Sequence, residues 1–315
     1  MISFIIIGRN EGWKLNKCLV SVFQTIKQNT LSKYEVIYVD SKSTDDSLKR
    51  AKNFPELKIF QLTGDINAAI ARNVGAKESK GDILFFIDGD MEIIPGFLPL
   101  VYSEEKGLIQ DFVSGNWVNY FYDQSANFIS KEKYQNAKQD SIEKVTGGLF
   151  LIKNNIWKDI HGMNPVFKKS QDIDLGLRLA KRNIFLLRKK ETAAKHHTIS
   201  YLDNNRMWKD LFSFNHLYGR SLLYRRHIFN KQIYSRLLRN DYTLLLLVGV
   251  SLLVVFMHSV IIFLLYFLAV LYRGKFIFSR FAYLIIRDLS VLLGLFLFWP
   301  KKNLNTVVKE IYNVN

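Results

Sequence analysis

The residues best suited to chemistry in this chain are acidic, and most of them end an apolar run. Asp88 and Asp90 flank one glycine directly after Ile83-Leu84-Phe85-Phe86-Ile87. Two carboxylates that close repel each other, and are tolerated when a divalent cation or a donor-rich ligand lies between them. A solvated strand-to-loop turn is the plainer alternative. Glu11 follows Ile2–Ile7 through Gly8-Arg9-Asn10, and Asp40 ends Tyr34–Val39. Alone, an acid such as Asp40 reads as a helix cap. Further along, Gln171-Asp172-Ile173-Asp174 opens a helical pattern. Acids there stabilise the helix start through its dipole, or Asp172 projects outward as a general base. Gly147-Gly148 permits close backbone approach or positive φ, or makes a simple bulge. His196-His197 offers imidazoles to a metal or phosphate, or forms a surface pair.

The elements that must carry these groups alternate. Ile2–Ile7, Tyr34–Val39, Leu57–Leu62 and Ile83–Ile87 read as buried strands. Helical spacing fills the gaps at Trp13–Lys27, Asp46–Lys52 and Ile66–Lys80. Such alternation with short links predicts a parallel α/β sheet. Right-handed crossovers then bring the strand tips to one edge, where open α/β sheets bind ligands. Glu11, Asp40, Asp88 and Asp90 converge there, which capping alone explains poorly. No Gly-x-Gly-x-x-Gly follows the first strand and no Walker loop occurs, which disfavours dinucleotide oxidoreductases and P-loop enzymes. From Gly107 a second half begins: strand Phe112–Tyr122, polar Ser125–Ile142, strand Val145–Ile152, helix Asp174–Lys181 and strand Ile184–Arg188. His196 and His197 then stand in a polar stretch.

A formal charge of +16 favours an anionic partner: nucleic acid, an acidic membrane face or a phosphorylated substrate. The lone cysteine, Cys18, forms no internal disulfide and suits a reducing compartment. Ile2–Ile7 is too short and lacks the basic leader of a signal peptide. Basic residues recur from Arg206 to Arg239, interleaved with Trp208, Phe212 and Tyr218. Such a stretch suits an anionic membrane surface. Tyr242–Tyr272 follows without a single Asp, Glu, Lys or Arg. As one helix it would extend about 46 Å, more than a ~30 Å hydrocarbon core needs. It is therefore expected to span, and nucleic-acid binding is disfavoured. Phe281–Trp299 is a second apolar run, interrupted by Arg287-Asp288. That charge must pair, lie shallowly or re-enter. Folding 242–272 back as a hairpin near His258-Ser259 would keep the basic loop after it on the cytoplasmic side but leave each arm too short to cross, so two spans with the tail inside are expected.

Six stretches in this order carry a resemblance: Ile5-Ile6-Ile7-Gly8-Arg9-Asn10-Glu11, Val36-Ile37-Tyr38-Val39-Asp40-Ser41-Lys42-Ser43-Thr44-Asp45, Ala71-Arg72-Asn73-Val74-Gly75, Ile87-Asp88-Gly89-Asp90, Thr146-Gly147-Gly148 and Gln171-Asp172-Ile173-Asp174-Leu175. The first 200 or so residues resemble a family 2 glycosyltransferase with the GT-A fold, a Rossmann-like mixed sheet with helices on both faces. The resemblance implies that Glu11 and Asp40 contact the nucleoside of a nucleotide-sugar donor, with Asp40 at the base. Arg72 would lie near the pyrophosphate, and Asp88 would meet the ribose. Asp90 would bind a divalent cation, Mn or Mg, with His196 or His197 as further contacts. Asp172 would be the catalytic base of an inverting transfer, although Gln171 stands where the family usually has Glu.

With the membrane run, these expectations describe an enzyme at the cytoplasmic membrane. Its catalytic domain faces the cytoplasm and glycosylates a hydroxyl of a lipid-linked or nascent glycan acceptor. The alternatives are a polyprenyl-phosphate acceptor, an inactive transferase-like scaffold, and a processive synthase. Those synthases carry Gln-x-x-Arg-Trp, which Asn204-Asn205-Arg206-Met207-Trp208 only partly echoes. The expected division is a GT-A catalytic domain over 1–203, a basic amphipathic juxtamembrane region over 204–240, membrane helices over 241–300 and a polar tail over 301–315.

Overall fold

The computed structural model describes residues 1–133, 137–199 and 206–311. Asn204 and Asn205 of the partial echo, and the expected boundary at 203/204, lie outside the described residues. The chain divides into two compact units, residues 1–200 with 302–315, and residues 201–301.

The first unit is built on strands β1 (Ile2–Gly8), β2 (Tyr34–Asp40), β3 (Leu57–Gly64) and β4 (Ile83–Asp88). They run parallel in the order β4-β1-β2-β3. Their near-continuous apolar runs follow from burial on both faces. Phe4, Ile6, Phe85 and Ile87 pack on one face with Leu15, Cys18, Leu19 and Val22 of helix α1 (Trp13–Gln28). Ile5, Ile7, Ile37 and Phe86 pack on the other face with α3 (Ala68–Glu78), the short α2 (Ser47–Ala51) having intervened in the chain. Helix α1 has no side-chain cap of its own. Instead the Ser47 hydroxyl accepts bonds from the Glu11 and Gly12 amides, at 3.0 and 2.9 Å. Packing therefore holds this helix, since each fully buried Leu or Val contributes about 1.5–3 kcal/mol.

Register sets the edge. Gly8 lies opposite Asp40, and Ile7 opposite Asp88, so three strands stop at one level with two carboxylates among their last residues. The second half adds β5 (Met91–Ile93), β6 (Phe112–Tyr122), β7 (Phe128–Lys133), β8 (Ser141–Glu143), β9 (Leu149–Lys153) and β10 (Leu186–Ile199). Strand β9 runs antiparallel to β4, and the sheet continues β9-β6-β10-β8. The sheet is thus mixed rather than wholly parallel. Helices α4 (Asn154–Asp159) and α5 (Gln171–Lys181) follow β9.

Three expectations are corrected here. His196 and His197 do not stand in an irregular stretch; they lie inside β10, which extends well beyond Arg188 and pairs with both β6 and β5. Part of the polar 125–142 stretch is likewise strand, β7 and the start of β8. Within the expected polar tail, Thr306–Ile311 forms a strand, β11, antiparallel to β3. An edge strand offers unpaired backbone groups to any extended segment, so this pairing needs little apolar patterning in the added strand. Val307 and Val308 accordingly remain exposed.

The second unit is helical. Short helical segments include Arg206–Phe212, the run Asn215–Leu217, Tyr218–Leu222 and Leu223–His227, and Tyr234–Asn240. Three longer helices follow: α6 (Tyr242–Met257), α7 (Phe263–Arg273) and α8 (Phe278–Leu297). The expected continuous span over 242–272 is broken at His258, whose φ is 52°, and Ser259. Among the described residues no single helix is long and apolar enough to cross a membrane. Lys231–Asn240 and Tyr242–Met257 pass that test only as a pair bent by 94°. Arg287 and Asp288, the interruption in the second run, are buried and paired at 2.9 Å.

Candidate active site

The carboxylates expected at the sheet edge do gather. Glu11, Asp88 and Asp90 line one cavity of about 250 Å³, together with Arg9, Ser41 and Asn67. Three acids in one wall raise one another's proton affinity. Asp88 is pushed up to about 6, first by burial, with Arg72 pulling the other way and Asp90 and Asp172 adding to the rise. Although 36% of its side-chain surface is open, that opening faces the cavity rather than bulk water, so burial still dominates. Glu11 is raised by burial and by Asp90, against an ion pair with Lys14 at 2.5 Å. Burial also opposes ionisation of Asp90, but a hydrogen bond and charge from His196 hold its carboxyl below the usual range.

Strand pairing brings His196 to Asp90. It lies opposite Met91, and its Nε2 meets Asp90 Oδ2 at 3.1 Å. Its Nδ1 lies 2.8 Å from Asn119 Oδ1. Burial lowers the proton affinity of the ring, but the hydrogen bond and charge of Asp90 outweigh it and raise the His196 pKa above the usual value. A divalent cation bound to Nε2 would have to replace any proton there. The Asp90 carboxylate and the His196 imidazole are donor types that Mn or Mg accepts. Asn119 would fix the ring from behind. Among the described residues no group of three or more His, Cys, Asp or Glu is arranged to hold an ion by itself. Such a cation would therefore complete its shell with phosphate oxygens and water.

His197 does not share the role expected of it. Its side chain is buried, with Nε2 2.8 Å from Glu92 Oε2 and Nδ1 2.9 Å from the Tyr122 hydroxyl. Trp13 packs edge-on against it. Alternation along β10 turns it away from its neighbour, and it is a packing residue.

Asp40 and Arg72 also sit differently from expectation. Asp40 is fully buried. It accepts bonds from the Tyr38 hydroxyl, the Ser43 amide and Gln61, at 3.1, 2.9 and 3.3 Å. It shapes the loop after β2, and Ser41 of that loop reaches the cavity. Arg72 is buried and bonded to Asp88 Oδ1, so it acts on the cavity through that carboxylate. Arg9, exposed, is a basic residue in the cavity wall.

Gly148 sits where β9 crosses β4, its carbonyl accepting from the Asp88 amide at 3.0 Å. A Cβ there would lie 2.2 Å from Asp88 Oδ2, so only glycine admits that carboxylate. Gly147 precedes it with φ 77°. Asp172 occupies the first turn of α5, half-buried and within electrostatic reach of Asp88. Gln171 Oε1 beside it is buried with no hydrogen-bond partner among the described residues. Asp174 is structural: fully buried, it bonds Arg178 at 2.8 Å, and Arg178 clamps the carbonyls of Ile160 and Gly162.

One organising residue was not anticipated. Arg188 is fully buried and spends its guanidinium on Glu143, the Gly115 carbonyl and the Val145 carbonyl, at 2.7, 2.8 and 2.8 Å. It anchors the segment leading into Gly147-Gly148. A charge ending the apolar Ile184–Leu187 run was the signal for it. Gly176, where a Cβ would collide with the Lys144 carbonyl at 1.4 Å, lets the same segment lie on α5.

Parts of this chain are similar to known proteins. The chain is 31% identical over 164 residues to the glycosyltransferase AglE of Haloferax volcanii, covering 51% of each. It is 30% identical over 148 residues to the poly(ribitol-phosphate) beta-N-acetylglucosaminyltransferase TarP of Staphylococcus aureus, covering 45% of this chain and 44% of TarP. The chain thus matches about half the length of these relatives. A crystal structure of GalNAc-T7 with UDP, GalNAc and Mn2+ aligns at 17% identity and a TM-score of 0.47, over 64% of this chain and 44% of that one. Residues 3–185 match the profile of glycosyl transferase family 2, more than half of the chain, and the protein belongs to that family.

Proposed function

We propose that this protein transfers a sugar from a nucleotide-diphosphate sugar to a hydroxyl of a glycan or lipid-linked acceptor, inverting the anomeric centre, at the cytoplasmic face of a membrane. The observation that carries the reading is the cavity shared by Glu11, Asp88 and Asp90, with Asp172 close enough to raise the Asp88 pKa. Asp172 takes the proton of the acceptor hydroxyl as it attacks the anomeric carbon, and a positioned carboxylate contributes typically ~10²–10⁴-fold to such a step. Gln171, beside Asp172 at the start of α5, borders the acceptor side. A bound divalent cation supplies Lewis-acid stabilisation of the leaving diphosphate. Asp90 and His196 would hold that cation, Asp88 meets the ribose, and Arg9 faces the phosphates. Glu11 and the Ser41 loop shaped by Asp40 contact the nucleoside. Gly147-Gly148 keeps the floor open beside Asp88.

The basic flanks and exposed apolar helices of residues 206–301 support membrane association. An acceptor phosphate would already be a nucleophile and need no base, so a retained Asp172 favours a hydroxyl. The test is a panel of nucleotide sugars with Mn²⁺ or Mg²⁺, read by thermal stabilisation and by release of nucleoside diphosphate. One donor should stabilise the protein in a metal-dependent way and be consumed. If no donor in the panel bound or turned over with either metal, a non-catalytic scaffold would replace this reading.

A further inference from the structure

The helical unit contains a hairpin whose geometry fits a lipid leaflet better than a span. Helices α6 and α7 pack side by side and reverse at His258-Ser259. Their open ends are tied together: the Arg273 guanidinium donates to Thr243 Oγ1 at 3.2 Å and to the Asn240 carbonyl, and lies over the Tyr242 ring. The chain therefore leaves the hairpin where it entered. Neither arm crosses a bilayer. Sixteen residues of α6 extend about 24 Å, short of a ~30 Å hydrocarbon core.

Charge and exposure divide along the hairpin's axis. Arg239, Lys275 and Arg280 are exposed at the base, and no Asp, Glu, Lys or Arg lies between Tyr242 and Tyr272. The buried residues of α6 lie in its base half, from Thr243 to Val250. Beyond them, around the reversal, most apolar side chains are exposed, Phe256 by 85% and Val260 by 73%, while Val254, Ile262 and Phe263 stay partly packed. An apolar surface of that kind facing water marks an interaction site, and basic residues ringing only its base match anionic headgroups. The Lys231–Asn240 segment meets α6 at 94°, the angle of an in-plane helix joined to one that dips. At that elbow a cavity of about 580 Å³, lined by Ile228, Ile233, Leu237, Leu244 and Val248, is sized for acyl chains.

We propose that the Tyr242–Arg273 hairpin is a re-entrant wedge: it enters one leaflet of an anionic bilayer, tip first, and returns to the face it left. This rests on the membrane reading above and replaces the span expected over 242–272 with none. The buried Arg287–Asp288 pair agrees, because Arg287 also bonds Thr243 at 3.1 Å and so sits at the hairpin base, not at its apolar tip.

The test uses the full chain in vesicles of phosphatidylcholine and phosphatidylglycerol, with Asn240→Cys, Phe256→Cys or Lys275→Cys placed singly on a Cys18→Ser background. A membrane-impermeant maleimide should label Asn240→Cys and Lys275→Cys from the same side. Phe256→Cys should resist the reagent from both sides, and a fluorophore attached there before reconstitution should be quenched by lipids brominated along the acyl chain. Labelling of Asn240→Cys and Lys275→Cys from opposite sides would overturn the wedge while keeping membrane binding. So would labelling of Phe256→Cys from either face. Failure of the protein to float with the vesicles would sink the membrane reading itself, and the wedge with it.

Discussion

The two halves of the catalytic sheet position chemistry by different means. In the parallel half, backbone register does the work: Asp88 ends β4 level with the end of β1, and Glu11 and Asp90 follow within three residues of a strand end. In the mixed half, buried side-chain clamps do it. Arg188 anchors the approach to Gly147-Gly148, Arg178 braces the turn before α5, and Asn119 fixes His196. A strand end tolerates many neighbouring sequences, whereas a clamp depends on one guanidinium or amide. The parallel half should therefore lose function without losing stability when its cavity-lining acids change, and the mixed half should lose both when its clamps change.

The largest effect expected is at Asp90. Asp90→Asn removes one ligand of the proposed cation, whose stabilisation of developing charge is worth several kcal/mol, so transfer should fall roughly a thousand-fold. The denaturation midpoint should hardly move. Metal titration monitored by donor binding checks the first part, and urea unfolding the second. Arg188→Met is the matching break in the mixed half. It strands Glu143 and two carbonyls around a buried site, and should cost about 3 kcal/mol in urea unfolding, at the low end for a broken pair because Glu143 is partly exposed. Equal stability losses at Asp90 and Arg188 would erase the distinction.

The smallest effect sharpens the comparison on the side away from the cavity. Glu35, near the start of β2, accepts bonds from Ser3 at 2.7 Å, Lys58 at 2.8 Å and the Lys80 amide. Burial pushes its carboxyl up, but these donors outweigh that and hold it below the usual glutamate range. A depressed folded pKa stabilises above the unfolded value and loses that contribution as pH falls through the folded one. Glu35→Gln should thus cost about 1 kcal/mol at neutral pH, a gap that closes below about pH 4. Denaturant midpoints at the two pH values measure it.

Legibility followed the same division. Contiguous apolar runs and short links made β1 to β4 readable, and with them the edge where Glu11, Asp88 and Asp90 meet. The family pattern made Asp172 and the glycine pair readable. Side-chain direction was not: whether Asp40 opens to a cavity or closes on Tyr38 and Ser43 depends on a loop's path, which no spacing encodes. His196 and His197 looked equivalent because alternation separates them only once β10 is known to be a strand. Thr306–Ile311 owes its structure to β3, some 240 residues earlier, and its own pattern is mostly exposed. The apolarity of 242–272 was plain and a hairpin at His258-Ser259 was one way to fold it, set aside because its arms are too short to cross; the left-handed residue that makes the reversal, His258, leaves no mark in composition.

The central claim is that Asp172 serves the cavity of Asp88 and Asp90 as the base for a hydroxyl acceptor. The most direct measurement compares wild type with Asp172→Asn in donor affinity and in single-turnover transfer. Donor affinity should stay within a few-fold while transfer falls ~10²–10⁴-fold. Unchanged transfer in the variant would contradict the account.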